Sequence, residues 1–581
     1  MKNIYKFYYL LDNKQRVQLF YLSILLFIGM LLEMFSLGAI LPLMKIMVDP
    51  EKSLDVFNQG ANLYKFIGLN KKQITLFIIS SLIILYIFKS LFLIYLGWKQ
   101  AHFSASLTAQ ISSKLFYYYL SQDYSFHINR NSSHLLRNVQ NETTFLNAIT
   151  LSAITVSIEF TVLVGVSITL FIIEPIGASI LILILLLPSI IINILTKKKL
   201  KNWGQLRQQY DGMATQHLMQ GLNGIKEVIL LGLNNFFLNK FILYSRKKAN
   251  VYVKQITLQQ FPRIYLELLA VITMATCVLY ININNIKGDN FIVILGLFTV
   301  GAFRIIPSFS RISGSMQVIR FNISVVDLLY NEFKTLKLGS NENLLINKNS
   351  SFQFKKIKIE NLSFKYDNSS KSVLSKINID IVSGDMIGFV GPSGSGKSTL
   401  IDIIMGLLRP QYGDVTVDGS SIFKLNRTWQ SNIGYVPQNI YLTDDTFRRN
   451  IAFGIPDEQI DENRVIYALK IAQLSDLITQ IENGLDTVVG ERGIKLSGGQ
   501  RQRIGIARAI YFNPKILVLD EATSALDVLT EKEIMESLIS LKGIITILII
   551  AHRISTVMSC DKIYVIEEGK IIKNGLPVEI F

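Results

Sequence analysis

The chain has 581 residues, of which 50% are hydrophobic and 18% are charged, and its net charge is +16. It is too long for one ordinary domain, and typical soluble domains carry about 25% charged residues, so a wholly soluble, a disordered or a disulfide-stabilised protein is disfavoured. The composition favours a membrane region joined to a soluble domain, and the basic charge suits either nucleic acid or an anionic membrane surface.

The first half of the chain contains six apolar segments that are long enough to cross a bilayer, which needs roughly 20 apolar residues per helix. The fourth segment has no charge, and Pro188 within it is tolerated better in a membrane helix than in a soluble one. We therefore predict an all-α transmembrane domain over residues 1–330 and a linker over 331–351. The predicted spans are residues 17–43, 74–98, 148–173, 175–196, 264–283 and 291–308.

Loop charge predicts the orientation of these spans, because basic residues stay on the cytoplasmic side. Residues 197–254 hold eleven Lys and Arg against Asp211 and Glu227, and the N-terminal tail is also basic. Both segments, and with them the N- and C-termini, are predicted to be cytoplasmic. Since this charge then lies beside lipid head groups, we expect no nucleic-acid partner.

The two cytoplasmic connections are long and compatible with helix. We expect membrane helices that extend into the cytoplasm and are joined by short turns at residues 121–132 and 211–224, where a soluble domain can dock. The later part of the outer loop, residues 48–72, has apolar residues at helical spacing, which suits a short interfacial helix or a plain loop equally. Cys277 and Cys560 show no metal-ligand spacing and are expected to be buried thiols.

A phosphate-binding loop follows a change of composition near Lys355. The apolar stretch Met386–Val390 leads into Gly391-Pro-Ser-Gly-Ser-Gly-Lys-Ser398 and a predicted helix over 399–408. In this pattern backbone N–H groups surround phosphate oxygens, Lys397 reaches the β- and γ-phosphates and the Ser398 hydroxyl binds Mg²⁺. The predicted ATP-binding residues of this loop are Gly391, Pro392, Ser393, Gly394, Ser395, Gly396, Lys397, Ser398 and Thr399.

A pair of acids ends the hydrophobic stretch Ile516-Leu-Val-Leu-Asp520-Glu521. We predict that Asp520 binds ATP through Mg²⁺ at the carboxyl end of a strand. Glu521 is then placed to polarise the attacking water as the catalytic carboxylate.

The segment Leu496-Ser-Gly-Gly-Gln500 resembles the signature of ATP-binding cassette (ABC) proteins. The resemblance implies an α/β P-loop ATPase domain over residues 352–581 that uses ATP and Mg²⁺. It also implies that Ser497, Gly498, Gly499 and Gln500 contact ATP held by a second copy of the chain.

Five further stretches match this family in order. The resemblance implies that Tyr366 stacks on adenine, that Gln438 contacts Mg²⁺ and the attacking water, and that His552 contacts the γ-phosphate as a catalytic residue. It also implies that Gly490–Gly493 is a loop specific to exporters and that Ser524–Asp527 crosses a dimer seam.

Six spans followed by one cassette resemble an ABC exporter half-transporter of the type IV fold. That resemblance implies a homodimer whose membrane halves alternate their access. No motif is degenerate, so both ATP sites of the dimer are expected to hydrolyse ATP.

Short stretches, among them Gly301–Ile312 and Gly224–Glu227, resemble bacterial flippases for lipid-linked oligosaccharides. The resemblance implies a multi-pass protein of the bacterial inner membrane that moves a membrane lipid, a polyprenyl-pyrophosphate-linked glycan. Independently of this resemblance, the candidate substrate residues are Lys89, Arg263, Arg304 and Arg311, because cations at membrane depth are costly and a cluster of them doubled in a dimer suits a pyrophosphate.

Three alternatives stay open. Lys89 can instead pair with Glu33, while Arg263 and Arg311 lie at the cytoplasmic interface. An exporter of lipids, drugs or peptides has the same architecture, and so does an ABC-type gated channel or sensor that transports no substrate.

Overall fold

The computed structural model describes residues 2–39, 71–173, 175–283, 289–339, 353–367, 369–522, 527–551 and 553–581. These residues form two compact units. The first comprises Met1–Gln122 and Asn129–Ser340, and the second comprises Asp123–Ile128 and Asn341–Phe581.

The first unit is helical throughout its described residues, apart from short turns, as the long apolar segments predict. Its inner helices pack side by side: the helix that follows residue 142 lies against the last helix of the unit. The helices are α1 (Lys2–Leu10), α2 (Asn13–Gly38), α3 (Lys71–Leu120), α5 (Ser132–Arg137), α6 (Thr143–Ile173), α7 (Pro175–Asn223), α8 (Ile225–Leu230), α9 (Asn234–Ile283) and α10 (Asp289–Gly339), and α4 (Tyr124–Ile128) belongs to the second unit.

Each predicted span coincides with a helix over its described residues. Within the described part of the chain, three helical stretches are long and apolar enough to cross a membrane: Asn13–Ser36, Ile79–Leu120 and Ser132–Ile172. Large apolar side chains on the second of these face outward, as a lipid-facing surface requires; Phe88 is 60% exposed and Ile94 is 69% exposed.

Of the two turns predicted from the sequence, the structure has one at the expected position and the other at a different position. The first predicted turn, residues 121–132, contains α4. The second prediction, residues 211–224, was wrong, because α7 continues to Asn223 and the chain turns between residues 224 and 233. Asp211 lies inside the bundle, where its carboxylate accepts from Lys248 Nζ at 2.8 Å.

The predicted boundary between the helical unit and the linker also differs from the structure. Helix α10 continues to Gly339 and so takes up the first nine residues of the predicted linker; the rest of the linker lies outside the described residues. The outer loop over residues 48–70 and the side chain of Cys277 also lie outside the described residues, whereas the Cys560 thiol is buried, and burial raises its pKa to about 12.

The second unit is an α/β domain with two sheets. Hydrophobic strands alternate with helices, which is typical of parallel sheets covered on both faces. Its strands are β1 (Lys356–Phe364), β2 (Leu374–Val382), β3 (Met386–Val390), β4 (Tyr412–Val417), β5 (Ser420–Ser421), β6 (Ile433–Val436), β7 (Ile516–Asp520), β8 (Thr546–Ile550), β9 (Lys562–Glu567) and β10 (Lys570–Gly575).

Helices lie between these strands. They are α11 (Lys397–Ile404), α12 (Ile422–Leu425), α13 (Arg427–Gln430), α14 (Phe447–Ile451), α15 (Glu462–Ile471), α16 (Ser475–Gln480), α17 (Gly498–Tyr511), α18 (Val528–Ile539), α19 (Ile554–Val557) and α20 (Pro577–Ile580).

The larger sheet has the order β10-β9-β3-β8-β7-β6, and the smaller antiparallel sheet has the order β2-β1-β4-β5. In the larger sheet β8 pairs in parallel with both β3 and β7. The carboxyl ends of these three strands therefore meet at one edge, where open α/β sheets bind their ligands.

Candidate functional site

The glycine-rich loop after β3 is held in a conformation that only glycine allows at two positions. Gly396 has a φ of 103°, and a Cβ there would lie 2.8 Å from Leu374 Cδ2. Gly391 has a φ of 154°, and a Cβ there would lie 2.0 Å from the carbonyl oxygen of Ile566. The loop therefore approaches the neighbouring backbone closely, which a Cβ at either position would prevent.

Lys397 begins helix α11 directly after this loop. Its Nζ donates to the carbonyl oxygens of Gly391 at 2.8 Å and of Pro392 at 2.9 Å. Burial lowers the pKa of Lys397, and the nearby carboxylates of Glu521 and Asp520 act in the opposite direction. The ammonium group thus lies over the loop that is predicted to hold phosphate.

The two predicted acids lie at the end of β7, next to Gln438. The amide of Gln438 donates to Glu521 Oε2 at 2.7 Å, and the Tyr435 hydroxyl donates to Asp520 Oδ2 at 3.5 Å. Burial raises the pKa of Tyr435, and the charge of Asp520 adds to this effect. The structure therefore brings Gln438 and Glu521 together, two residues for which the family resemblance implies contact with the same water.

Glu521 has an unusual backbone. Its φ is 50°, a conformation that non-glycine residues adopt rarely and that is concentrated at functional sites. Its N–H donates to the carbonyl oxygen of Ile550, the last residue of β8, at 3.1 Å. The loop that carries the predicted catalytic carboxylate is thus attached to the strand that precedes His552 in the chain.

The residues at this edge fit a nucleotide and Mg²⁺. The Ser395 hydroxyl is buried and has no hydrogen-bond partner among the described residues, so it is available to a ligand. The hydroxyl of Ser398, the amide oxygen of Gln438 and the carboxylate of Asp520 are the hard oxygen donors that Mg²⁺ prefers. These three residues would hold the metal ion.

Tyr366 lies beside the same loop. Its hydroxyl is 3.1 Å from Thr399 Oγ1, and its ring meets that of Phe364 edge to face, with the centroids 4.9 Å apart. The tyrosine is half-buried, so part of its ring is open to a flat base.

The signature residues open helix α17, as the sequence predicts for an anion-binding helix terminus. Ser497 caps the helix by accepting from Gln500 N at 3.1 Å, while Ser497 N donates to Gln500 Oε1 at 2.8 Å. Gln500 therefore uses its side chain in the cap. The N–H groups of Gly498 and Gly499 lie in the first turn, where a helix supplies no carbonyl partner.

Some predicted residues lie outside the described part of the chain. These are His552 and the stretch Ser524–Leu526. Asp527 is described, and its carboxylate accepts from Thr530 N at 3.0 Å as the cap of helix α18. The loop that contains Gly490–Gly493 includes a turn of 3₁₀-helix over Glu491–Gly493.

All four cations predicted to bind substrate are paired with carboxylates. Glu33, which is 3% exposed, contacts Lys89 Nζ at 2.9 Å and Arg304 Nε at 2.5 Å. Lys89 Nζ also donates to Ser36 Oγ at 2.9 Å. Helices α2, α3 and α10 thus share one ion cluster, and the alternative pairing of Lys89 with Glu33 is the one observed.

The other two cations contact acids that differ in their burial. Arg311 contacts the buried Glu159 at 2.8 Å, and the same carboxylate accepts from Ser308 Oγ at 2.6 Å. Arg263 pairs with Glu267 at 3.0 Å, and both of these side chains are mostly exposed. Sequence reasoning missed Glu159 as a partner, although a single acid in an otherwise apolar span is a signal that some cation neutralises it.

Comparison with protein families gives two matches. The model of the ABC transporter transmembrane region matches residues 17–303, and the model of the ABC transporter domain matches residues 374–524. Together they take in well over half of the chain.

Curated relatives of this chain include proteins named for leukotoxin translocation. The "Leukotoxin translocation ATP-binding protein LktB" of Mannheimia glucosida, and that of Bibersteinia trehalosi, is 43% identical over 220 residues, 38% of this chain and 31% of the relative. The chain therefore spans about a third of the length of the curated relatives that it matches.

A solved structure described as a bacterial Atm1-family ABC exporter with ATP bound superposes with a TM-score of 0.78. The match covers 98% of this chain and 96% of that chain at 23% identity, so it shows the fold alone. With both units matched to ABC models and the whole chain sharing an exporter fold, this chain belongs to the ABC transporter family.

Proposed function

We propose that this chain is one half of a homodimeric, ATP-driven exporter. The observation that carries the proposal is the arrangement at the edge of the large sheet, where Lys397, Asp520, Glu521 and Gln438 surround a glycine-lined loop. A chain with this edge and a helical unit of membrane-spanning type has the two parts that ATP-coupled transport needs.

The residues at this edge of the sheet have different roles in ATP binding and hydrolysis. Lys397 and the loop N–H groups bind the phosphates, and Tyr366 orients the adenine by stacking. When bound, Mg²⁺ supplies neutralisation of charge on the phosphate oxygens. Glu521 accepts a proton from the attacking water, and Gln438, which donates to its carboxylate, holds that carboxylate in position.

Two copies complete each site. Helix α17 begins at the surface, so Ser497, Gly498 and Gly499 of the partner subunit are placed to bind the γ-phosphate with a helix N-terminus. ATP then joins two cassettes, and its hydrolysis separates them. The membrane halves follow this change between two states.

For the substrate we propose a polyprenyl-pyrophosphate-linked glycan in a bacterial inner membrane. Lys89 and Arg304 share the single carboxylate of Glu33, so this cluster keeps a net charge of one positive unit per copy. A homodimer doubles that charge, and a positive cluster at membrane depth is costly unless it serves an anion. Arg304 is 30% exposed and can reach a pyrophosphate while keeping contact with Glu33.

The test is ATP-dependent translocation by the full chain in proteoliposomes that contain a defined polyprenyl-pyrophosphate glycan. We expect transport, and stimulation of ATP hydrolysis by this lipid but not by amphipathic drugs. Arg304→Ala is expected to lower transport at least about tenfold, because it removes a charged hydrogen bond. Lys201→Ala, an exposed cytoplasmic cation, is the matched control.

A second candidate is export of a protein or peptide. It is favoured by the match to relatives named for leukotoxin translocation. If the Arg304→Ala protein transports the lipid as well as the unchanged protein, the charge cluster has no role in lipid binding. If the unchanged chain transports a polypeptide but not the lipid in these proteoliposomes, the polypeptide replaces the lipid as the proposed substrate.

A further inference from the structure

A buried carboxylate in the cassette belongs to none of the motifs above. Glu531 lies one turn into helix α18 and is 7% exposed. A buried carboxylate is costly unless its oxygens are paired. Both oxygens of Glu531 have partners: Arg553 in a short loop and Thr556 in helix α19, which begins directly after it.

That loop follows strand β8. Thr556 Oγ1 donates to Glu531 Oε1 at 2.8 Å, and Arg553 Nη1 donates to Glu531 Oε2. Thr556 is 2% exposed, so the helix α19 that follows the loop is fixed in the core at this residue. Arg553 is the residue that follows His552 in the chain.

The N-terminus of helix α18 leads to the predicted dimer seam. Its cap is Asp527, the last residue of the stretch that the family resemblance places across the seam. One turn of helix therefore separates a residue of the seam loop from the carboxylate that holds Arg553. The catalytic carboxylate joins the same frame, because Glu521 N donates to the carbonyl oxygen of Ile550 at 3.1 Å.

We propose that Glu531 is a positioning residue for ATP hydrolysis. It fixes the backbone on the C-terminal side of His552 and connects that backbone to the helix that begins at the seam. Contact between two cassettes then changes the position of His552 relative to the γ-phosphate, and this effect passes through Glu531 and Arg553. This inference rests on the proposed function and on the family resemblance, which implies that His552 contacts the γ-phosphate.

The first variant is Glu531→Gln in the full-length protein in nanodiscs, with Mg²⁺ and ATP. The amide keeps an acceptor for Thr556 but loses the charge that holds Arg553. We expect kcat to fall at least about tenfold, the loss that follows removal of a charged hydrogen bond. The KM for ATP should change less than about twofold, since the loop and Tyr366 are untouched. Glu536→Gln, an exposed acid on the same helix, is the matched control.

A double variant separates positioning from stability. If Glu531 acts through His552, Glu531→Gln adds no further loss of rate in the His552→Ala background. If the two losses multiply instead, Glu531 acts independently of His552 and the inference is overturned. Arg553→Gln makes the same test from the other side of the pair, should Glu531→Gln fold poorly.

A measurement without turnover completes the test. In the nucleotide-free protein, hydrogen exchange of residues 551–557 should be faster in Glu531→Gln than in the unchanged chain, while residues 397–404 exchange as before. Equal exchange of residues 551–557 in both proteins overturns the inference. Full hydrolysis by Glu531→Gln, with His552→Ala defective, overturns this inference alone, whereas an unchanged chain without ATPase activity contradicts the proposed function.

Discussion

The two units of this chain use buried charge in opposite ways. In the cassette, Lys397 hydrogen-bonds two backbone carbonyl oxygens, and the buried hydroxyl of Ser395 has no partner among the described residues. In the helical unit, Lys89 and Arg304 each contact the same acid, Glu33. Polar groups at the sheet edge are thus kept available to a ligand, whereas the two cations among the helices share one carboxylate, which offsets only one of their two charges.

The same pairing is found in its most buried form around Glu142, elsewhere in the helical unit. Arg207 and Glu142 are both fully buried and lie 3.2 Å apart, and Arg137 approaches the same carboxylate at 3.6 Å. Glu142 closes a π-helical turn, Asn138–Glu142, which directs its side chain into the bundle. A cation in a transporter therefore cannot be assigned to substrate until its carboxylate partner has been sought.

The largest expected effect is the loss of ATP turnover when the acid Glu521 at the nucleotide site is replaced. Glu521→Gln removes the carboxylate that accepts the proton from water, and we expect ATP turnover to fall about 100- to 10,000-fold. The variant should still bind ATP and accumulate as a closed dimer. Steady-state hydrolysis and size-exclusion chromatography with ATP measure the two results, and turnover at the unchanged rate would refute the catalytic role of Glu521.

The next effect is on the paired charges. Glu142→Gln leaves Arg137 and Arg207 without a carboxylate in a buried site, and we expect a loss of about 3–5 kcal/mol in the free energy of unfolding. Glu227→Gln, at an exposed site of the same unit, is the control. Thermal unfolding in detergent compares the two, and equal melting temperatures would mean that this buried pairing does not stabilise the helical unit.

A smaller effect depends on pH. Burial raises the pKa of Asp402 on helix α11 to about 6, and the charge of Asp520 adds to it. Because the folded pKa exceeds the unfolded one, the folded cassette loses stability as pH rises from about 4 through 6, and the loss is complete above that range.

The variant Asp402→Asn lacks the negative charge that causes this loss of stability at higher pH. We expect the variant to unfold about 2–4 °C higher than the unchanged chain at pH 8, with the difference shrinking as pH falls through 6. Melting curves of the nucleotide-free protein between pH 5 and pH 8 test this, with the exposed Asp444→Asn as control. A difference that does not vary with pH would show that the charge of Asp402 is not its cause.

The smallest effect belongs to the exposed pair of the helical unit. Arg263 and Glu267 lie one turn apart with 80% and 62% of their side chains exposed. Such pairs contribute only about 0.3–0.5 kcal/mol, so Arg263→Ala should barely change the melting temperature. If lipid transport nevertheless falls in this variant, Arg263 contacts substrate directly; unchanged transport removes it from the substrate set.

The cassette could be predicted in detail because its chemistry requires fixed residues at fixed spacing. Close approach of backbone to phosphate demands glycine at Gly391 and Gly396, and the capping of helix α17 demands the serine at position 497. Each requirement leaves a local pattern in the sequence. The contact between Gln438 and Glu521 could be expected only from the family, since 83 residues separate them.

The helical unit could be predicted in its helices but not in its pairings. Apolar length specifies a span, yet nothing local to Arg311 indicates that Glu159 lies opposite it. The second cytoplasmic turn was misplaced for a similar reason, since the contact of Asp211 with Lys248 is formed between helices. Such contacts depend on how helices pack, which periodicity does not determine.

The most direct test compares ATP hydrolysis by a single copy of the chain with hydrolysis by two copies together. Nanodiscs that hold one copy of the chain are compared with nanodiscs that hold two, and ATP hydrolysis per copy is measured at saturating ATP and Mg²⁺. If Ser497 of the partner subunit completes each site, hydrolysis occurs in the two-copy discs and is lost in the one-copy discs. A single copy that hydrolyses ATP at the full two-copy rate would contradict the account.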